Sequence, residues 1–217
     1  MVKKIKVVKS RNFHSRGGAE INKIVLHYTA DGPGSAVSYF KNYRRASAHY
    51  VIERDGQIIR MVDHKYAAWH AGYKPRDEYE RDRLAIVKPN ESSIGIEIVN
   101  WGMVDHNFKT WTGKVLPDDE VVLVDGKFWQ KYTEPQYVAL KWLVKKLCDE
   151  LIIPRDFMFA GQAGFQWRDK DYPKVPYYMP CGLRCDTKRF REGICGHCHI
   201  SKSKPDPGPH LQWDKFL

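Results

Sequence analysis

Two apolar stretches decide the fold: KIVLHYT at residues 23–29 and SIGIEIVNW at residues 93–101. The first is rich in β-branched and aromatic residues, which suit the pleated surface of a strand. The second is apolar at nearly every position, so it belongs inside a sheet that is covered on both faces. Between them, a DGPG turn (31–34) leads into SAVSYFKNYRRAS, where Val37, Phe40 and Tyr43 recur at helical spacing and Ser35 is available as a cap. AHYVIERDGQIIRMV then reads as two strands joined at Asp55-Gly56, a strong hairpin signal.

Residues 102–132 look irregular, apart from a second hairpin expected at Asp125-Gly126. Thr133-Glu134-Pro135-Gln136 has the form of a capping box with proline in the first turn. Behind it Tyr137, Leu140, Val144, Leu147 and Leu151 make one apolar stripe, in whose region Cys148 reads as a small buried apolar residue, and Pro154 stops the helix. Residues 160–195 are rich in Gly, Pro, Tyr and charge without sustained periodicity and read as an insertion. The expected fold class is α/β (α+β), a mixed central β-sheet flanked by helices. Residues 1–217 form a single domain with a cysteine-containing insertion at about 160–195.

The 217 residues, 42% hydrophobic and 13% aromatic, exclude wholesale disorder and leave room for one substantial core. No apolar run reaches the length of a membrane-spanning helix. The basic start MVKKIKVVKSRNF lacks the apolar segment of a secretory signal, so synthesis in the cytoplasm is expected. Lys and Arg number 36 against 26 Asp and Glu, a net charge of +10 that implies a polyanionic partner: nucleic acid, or a bacterial wall rich in phosphate and carboxylate.

Of the nine histidines, His14, His64, His106 and His210 sit in polar contexts and read as surface residues. His27 lies inside an apolar strand and is either a satisfied core histidine or an inward-pointing ligand. Near the C-terminus, His197 precedes Asp206 by nine residues and Lys204 stands two before it. Two histidines and a carboxylate can give zinc three protein ligands and leave the fourth position open, as a catalytic site requires. Cys181-x3-Cys185 followed by Cys195-x2-Cys198 approximates the spacing of a closed structural zinc site; two disulfides or reduced thiols are the other readings.

The motifs IVLHYTA, SAHYVIERDG, AAWHAG, SSIGIEIVN and GHCHISKSKPDPGP occur in an order that resembles the zinc-dependent N-acetylmuramoyl-L-alanine amidases. The resemblance is to the type 2 amidase superfamily, which includes AmpD-like enzymes, phage lysozyme-type amidases and peptidoglycan recognition proteins. It covers about residues 20–154 and 194–214 and implies a mixed sheet packed by helices, with zinc in a surface cleft. It also implies His27, His197 and Asp206 as zinc ligands, Glu97 as catalytic acid/base and Lys204 as transition-state stabiliser. Trp69, His70 and Asn100 are implied as groove residues that meet substrate. The register of Gly196 and Ile200 favours His197 as the ligand over His199 or the Cys198 thiolate.

What the resemblance implies for function is peptidoglycan hydrolysis at the amide between the lactyl group of N-acetylmuramic acid and L-alanine. The basicity favours a bacteriolytic, antimicrobial endolysin that acts on the anionic wall after release and so lyses the host cell; a monomer is expected. A cytoplasmic muropeptide-recycling amidase and a non-catalytic peptidoglycan-binding protein are the alternatives. A nucleic-acid-binding role would leave the five ordered motifs unexplained.

Overall fold

A computed structural model describes residues 4–43, 45–72, 88–155, 192–201 and 203–217. In chain order these form β1 (Ile5–Val7), β2 (Phe13–Ser15), β3 (Lys23–Tyr28), α1 (Ser35–Asn42), β4 (Tyr50–Ile52), β5 (Ile58–Arg60) and β6 (Tyr66–Ala68). There follow β7 (Ser93–Ile98), β8 (Met103–Val104), β9 (Val121–Val124), β10 (Lys127–Gln130), α2 (Glu134–Leu151), β11 (Gly193–Gly196) and the short α3 (His197–Ile200). The central sheet has six strands in the order β1-β5-β4-β7-β3-β11. Only β4 and β5 pair antiparallel in it; β4, β7, β3 and β11 run parallel. The sheet is therefore mixed, as expected.

β3 and β7 are both interior strands of this sheet, and period-two alternation splits their side chains between two layers. Ile24 and Leu26 of β3, Ile94, Ile96 and Ile98 of β7, and Tyr50 and Ile52 of β4 pack with Tyr137, Leu140, Leu143, Val144 and Leu147 of α2. Leu211, Trp213 and Phe216 close this core. A second cluster joins Val51, Ile59 and Val99 to Ala36 and Phe40 of α1. Each buried Val, Leu, Ile or Phe among them contributes about 1.5–3 kcal/mol.

The two hairpins form where the sequence places them, and Asp125 and Gly126 both take positive φ as a two-residue turn requires. Residues 102–132 are more ordered than their sequence implies, because β8, β10 and β9 make a three-stranded sheet. Its strands are too short for periodicity to show. α1 also departs from expectation. Ser35 is its first helical residue rather than its cap; Gly34 holds the cap position in the left-handed region, and the helix ends at Asn42.

The expected insertion lies almost wholly outside the described residues, but its C-terminal boundary is corrected. Residues 193–196 form β11, which pairs with β3 from Gly193↔Lys23 to Gly196↔Leu26. A GICG segment carries no strand signal by itself; pairing with a buried neighbour makes it one.

The capping box of α2 forms in full. The Thr133 hydroxyl accepts from the Gln136 N–H at 3.2 Å, and Gln136 Oε1 accepts from the Thr133 N–H at 3.0 Å. The same hydroxyl donates to the Arg54 carbonyl at 2.6 Å, tying the helix to the β4–β5 hairpin. Thr133→Ala is expected to cost about 1–2 kcal/mol, read as a lowered denaturant midpoint with an unchanged slope.

Candidate active site

Strand polarity assembles the site. β3, β7 and β11 are parallel, so their carboxyl ends open on one edge, where open α/β sheets place ligands. His27 is the fifth residue of β3 and stands in register with Glu97 of β7, so both side chains leave the same face. On the other side, β11 ends at Gly196 opposite Leu26, and the chain turns into α3 at His197. This brings the His27 and His197 rings to a centroid separation of 4.6 Å.

Asp206 arrives on the loop that follows α3. The Cys198 N–H donates to its carbonyl at 2.8 Å, and Tyr132 donates to the Pro207 carbonyl at 2.7 Å. Pro207 packs flat on Gly196, where an added Cβ would lie 2.3 Å from the proline ring. Gly196 is thus required for the loop to close. One oxygen of the Asp206 carboxylate then contacts Nδ1 of His27 at 2.8 Å and Nδ1 of His197 at 3.1 Å.

This donor set fits a divalent metal. His27, His197 and Asp206 are buried and present three ligand atoms within 4.8 Å of one another. No lysine or arginine ion-pairs with the Asp206 carboxylate among the described residues. A buried anion faced only by imidazoles lacks the full positive charge that would compensate it, and an ion would supply that charge.

Electrostatics separates the two carboxyls. Burial alone would raise Asp206, but its hydrogen bonds with His197 and His27 outweigh burial and hold it below the usual carboxylate range. Glu97 goes the other way: burial, then the negative charge of Asp206, pushes it well above the ordinary value, with the Lys204 charge opposing the rise. Its Oε2 is enclosed without a hydrogen-bond partner among the described residues. Burial also lowers His27 to about 4, against the bond to Asp206, so its ring is neutral near pH 7.

Several sequence expectations need correction. His70 is buried among the described residues, with Nδ1 3.0 Å from Nε2 of His27 and Nε2 3.1 Å from the Ser93 hydroxyl. Asn100 is fully buried and structural, because its amide donates to the Gln130 carbonyl at 2.9 Å and its Oδ1 accepts from the Gly102 N–H at 2.7 Å. Trp69 remains part-exposed, its indole N–H donating to His14 at 2.9 Å. His210 is no surface residue; it is buried between the rings of Trp129 and Tyr132.

Among the adjacent candidates, His197 rather than His199 meets Asp206. Nδ1 of His199 accepts from the Gly196 N–H at 2.8 Å, and its ring lies against Trp213. Cys195 and Cys198 are buried, while Cys181 and Cys185 lie outside the described residues. Lys204 is exposed on the loop that carries Asp206.

Sequence reasoning missed the polar layer behind His27. The Arg16 guanidinium is buried, bonds the carbonyls of His64 and Ser93 at 2.6 and 3.1 Å, and lies 2.9 Å from the His49 ring. In the sequence Arg16 sits in a polar, glycine-containing segment with no periodic signal to mark it as buried.

The family model described as N-acetylmuramoyl-L-alanine amidase matches residues 17–209. The chain belongs to that family. This family member is similar to the 1,6-anhydro-N-acetylmuramyl-L-alanine amidase AmpD of Escherichia coli (strain K12), 43% identical over 54 residues. Those residues are 25% of this chain and 26% of that protein, so the match spans about a quarter of the relative. The fold is similar to a selenomethionine AmpD derivative, with a TM-score of 0.56 at 20% identity over 100% of this chain and 97% of that one. It is also similar to N-acetylmuramoyl-L-alanine amidase LysC from Clostridium intestinale URNW, with a TM-score of 0.52 at 13% identity over 99% and 95% of the two chains. At these identities the likeness is one of fold.

The raised Glu97 carboxyl has a consequence for stability. A carboxyl with a raised folded-state value favours the fold below its unfolded value, and that advantage is lost as pH rises through the folded value. Above that window the buried charge destabilises the protein. In chelator-treated protein, Glu97→Gln is therefore expected to raise the melting temperature near pH 8 and to have little effect near pH 4.

Proposed function

We propose that this chain is a zinc-dependent amidase that hydrolyses the amide joining the lactyl group of N-acetylmuramic acid to L-alanine in peptidoglycan. The observation that carries this reading is the convergence of His27, His197 and Asp206 at the carboxyl ends of parallel strands, with Glu97 in register beside His27. The family match and the basic charge support it. His27, His197 and Asp206 hold the ion. Bound there, zinc supplies Lewis acidity, which polarises an amide carbonyl and makes water acidic near neutral pH.

The remaining work falls to the chain's own residues. Glu97 takes the proton of the attacking water: it stands in register with His27, and burial raises its carboxyl above the ordinary value, which makes it a stronger base than a free carboxylate. The water oxygen bonds to the lactyl carbonyl carbon. Glu97 then returns the proton to the alanine nitrogen as the C–N bond breaks, giving a carboxylic acid and a free amine. The Lys204 ammonium, whose charge acts on both Glu97 and His27, is proposed to stabilise the oxyanion, an effect worth roughly 3 kcal/mol for one well-placed donor.

Intact wall is the proposed substrate, because a net charge of +10 attracts a polyanionic polymer. This favours an endolysin that acts on the wall after release from the cell in which it is made. The alternative, recycling of soluble muropeptides, is supported by the segment similar to AmpD. The four clustered cysteines are proposed to hold a second, structural ion.

Three variants and a chelator test the chemistry. His27→Ala is expected to lose the catalytic zinc and about a thousandfold or more in hydrolysis. Glu97→Gln is expected to keep zinc while losing about 10²–10⁴-fold, and Lys204→Ala about 100-fold. Full activity after exhaustive chelation, or in His27→Ala, would refute the metal reading. Mass spectrometry of the native protein and Cys181→Ser counts the ions: two equivalents falling to one supports the thiolate site, and one in both rejects it.

A turbidity assay on purified wall, run beside hydrolysis of a soluble anhydro-muropeptide, separates the two substrates. The lysin reading expects wall lysis to fall steeply with added salt while soluble turnover holds. Preference for the soluble fragment with no wall adsorption would instead identify a recycling enzyme.

A further inference from the structure

We infer that His70 is a positioning residue for the metal centre: with Ser93 and the Pro89 carbonyl, it holds His27 in the tautomer whose Nδ1 lone pair is free to ligate. The inference rests on the proposed role of His27 as a ligand. It concerns how that role is enforced.

Hydrogen-bond direction carries the argument. Ser93 is fully buried and its hydroxyl donates to the Pro89 carbonyl. A hydroxyl has one proton to give, so the same oxygen must accept from Nε2 of His70, 3.1 Å away. A neutral imidazole protonated at Nε2 is bare at Nδ1. Nδ1 of His70 can then only accept, and its neighbour at 3.0 Å is Nε2 of His27. With an ion bound, that nitrogen carries the His27 proton and leaves Nδ1 of His27 bare to ligate; without one, a proton on Nδ1 bonds the Asp206 carboxylate 2.8 Å away, and the relay opposes that tautomer. Reversing every bond would put a proton on Nδ1 of His27 and abolish it as a ligand. It would also take from Pro89 the proton it receives from Ser93.

The relay is rigidly held. The Asn90 side chain accepts from the backbone N–H groups of His70 and Ala71 at 3.2 and 2.8 Å. The His70 ring lies directly on Gly95, where an added Cβ would sit 2.4 Å from it. The ring can neither tilt away from His27 nor be replaced there by a longer side chain without displacing β7.

Zinc affinity, measured by competition with a chromophoric chelator, tests the inference without reference to turnover. His70→Leu keeps comparable volume and removes the acceptor; it is expected to weaken zinc binding about 10–100-fold. His70→Asn puts an amide oxygen close to the position of Nδ1 and is expected to recover most of that loss. Ser93→Ala, which frees His70 to take the other tautomer, is expected to weaken binding by a smaller factor. The inference is overturned if folded His70→Leu binds zinc as the unmodified protein does, or if His70→Asn is as weak as His70→Leu. Should His70→Leu not fold, unchanged affinity in Ser93→Ala overturns it. His27→Ala separates the two levels: zinc retained there removes the metal reading itself, whereas zinc lost there but kept in His70→Leu removes only the relay.

Discussion

The parallel register of β3 between β7 and β11 is the constraint on which the site depends. It sets Glu97 beside His27 on one side and delivers His197 on the other, each from a different part of the chain. Parallel strands have their carboxyl ends on the same edge, so three functional side chains emerge together without any local motif to hold them. The strands can take this position because their other face is a continuous apolar layer against α2. A one-residue slip of β3 would exchange His27 for Leu26 and move the whole set into the core.

A polar layer supported in this way carries an energetic cost. His27, His49, His70, Ser93 and Arg16 are all buried, and a buried polar group is tolerated only when bonded. Most of them are: Arg16 gathers backbone carbonyls, His49 accepts from the Gly95 N–H at 3.0 Å, and His70 joins Ser93 to His27. Glu97, on the same face, differs: its Oε2 has no hydrogen-bond partner among the described residues. Such an enclosed oxygen is a local weakness of the fold, and groups of this kind are candidates for function.

Glycine has a related part at two points. Gly95 and Gly196 make room for a histidine ring and a proline ring at distances no side chain would permit. Each lets a loop approach the sheet closely. The first seats the residue behind His27, and the second seats Pro207 beside Asp206.

Much of the fold was legible in the sequence because its signals are local. Alternation and composition mark β3 and β7, Asp-Gly pairs mark both hairpins, and Thr133 to Gln136 mark the start of α2, since each depends on residues only a few positions apart. The trio His27, His197 and Asp206, which could hold a metal, was picked out as a set through resemblance to a family. What tertiary structure alone decided is direction and company. Asn100 and His70 turned out to be interior residues, His210 became a ring stacked between two others, and GICG became a strand only beside β3. His197 was separated from His199 because Gly196 captures the second ring. A sequence specifies which polar groups the chain possesses; which of them face one another depends on contacts between residues tens of positions apart, and no local pattern encodes those.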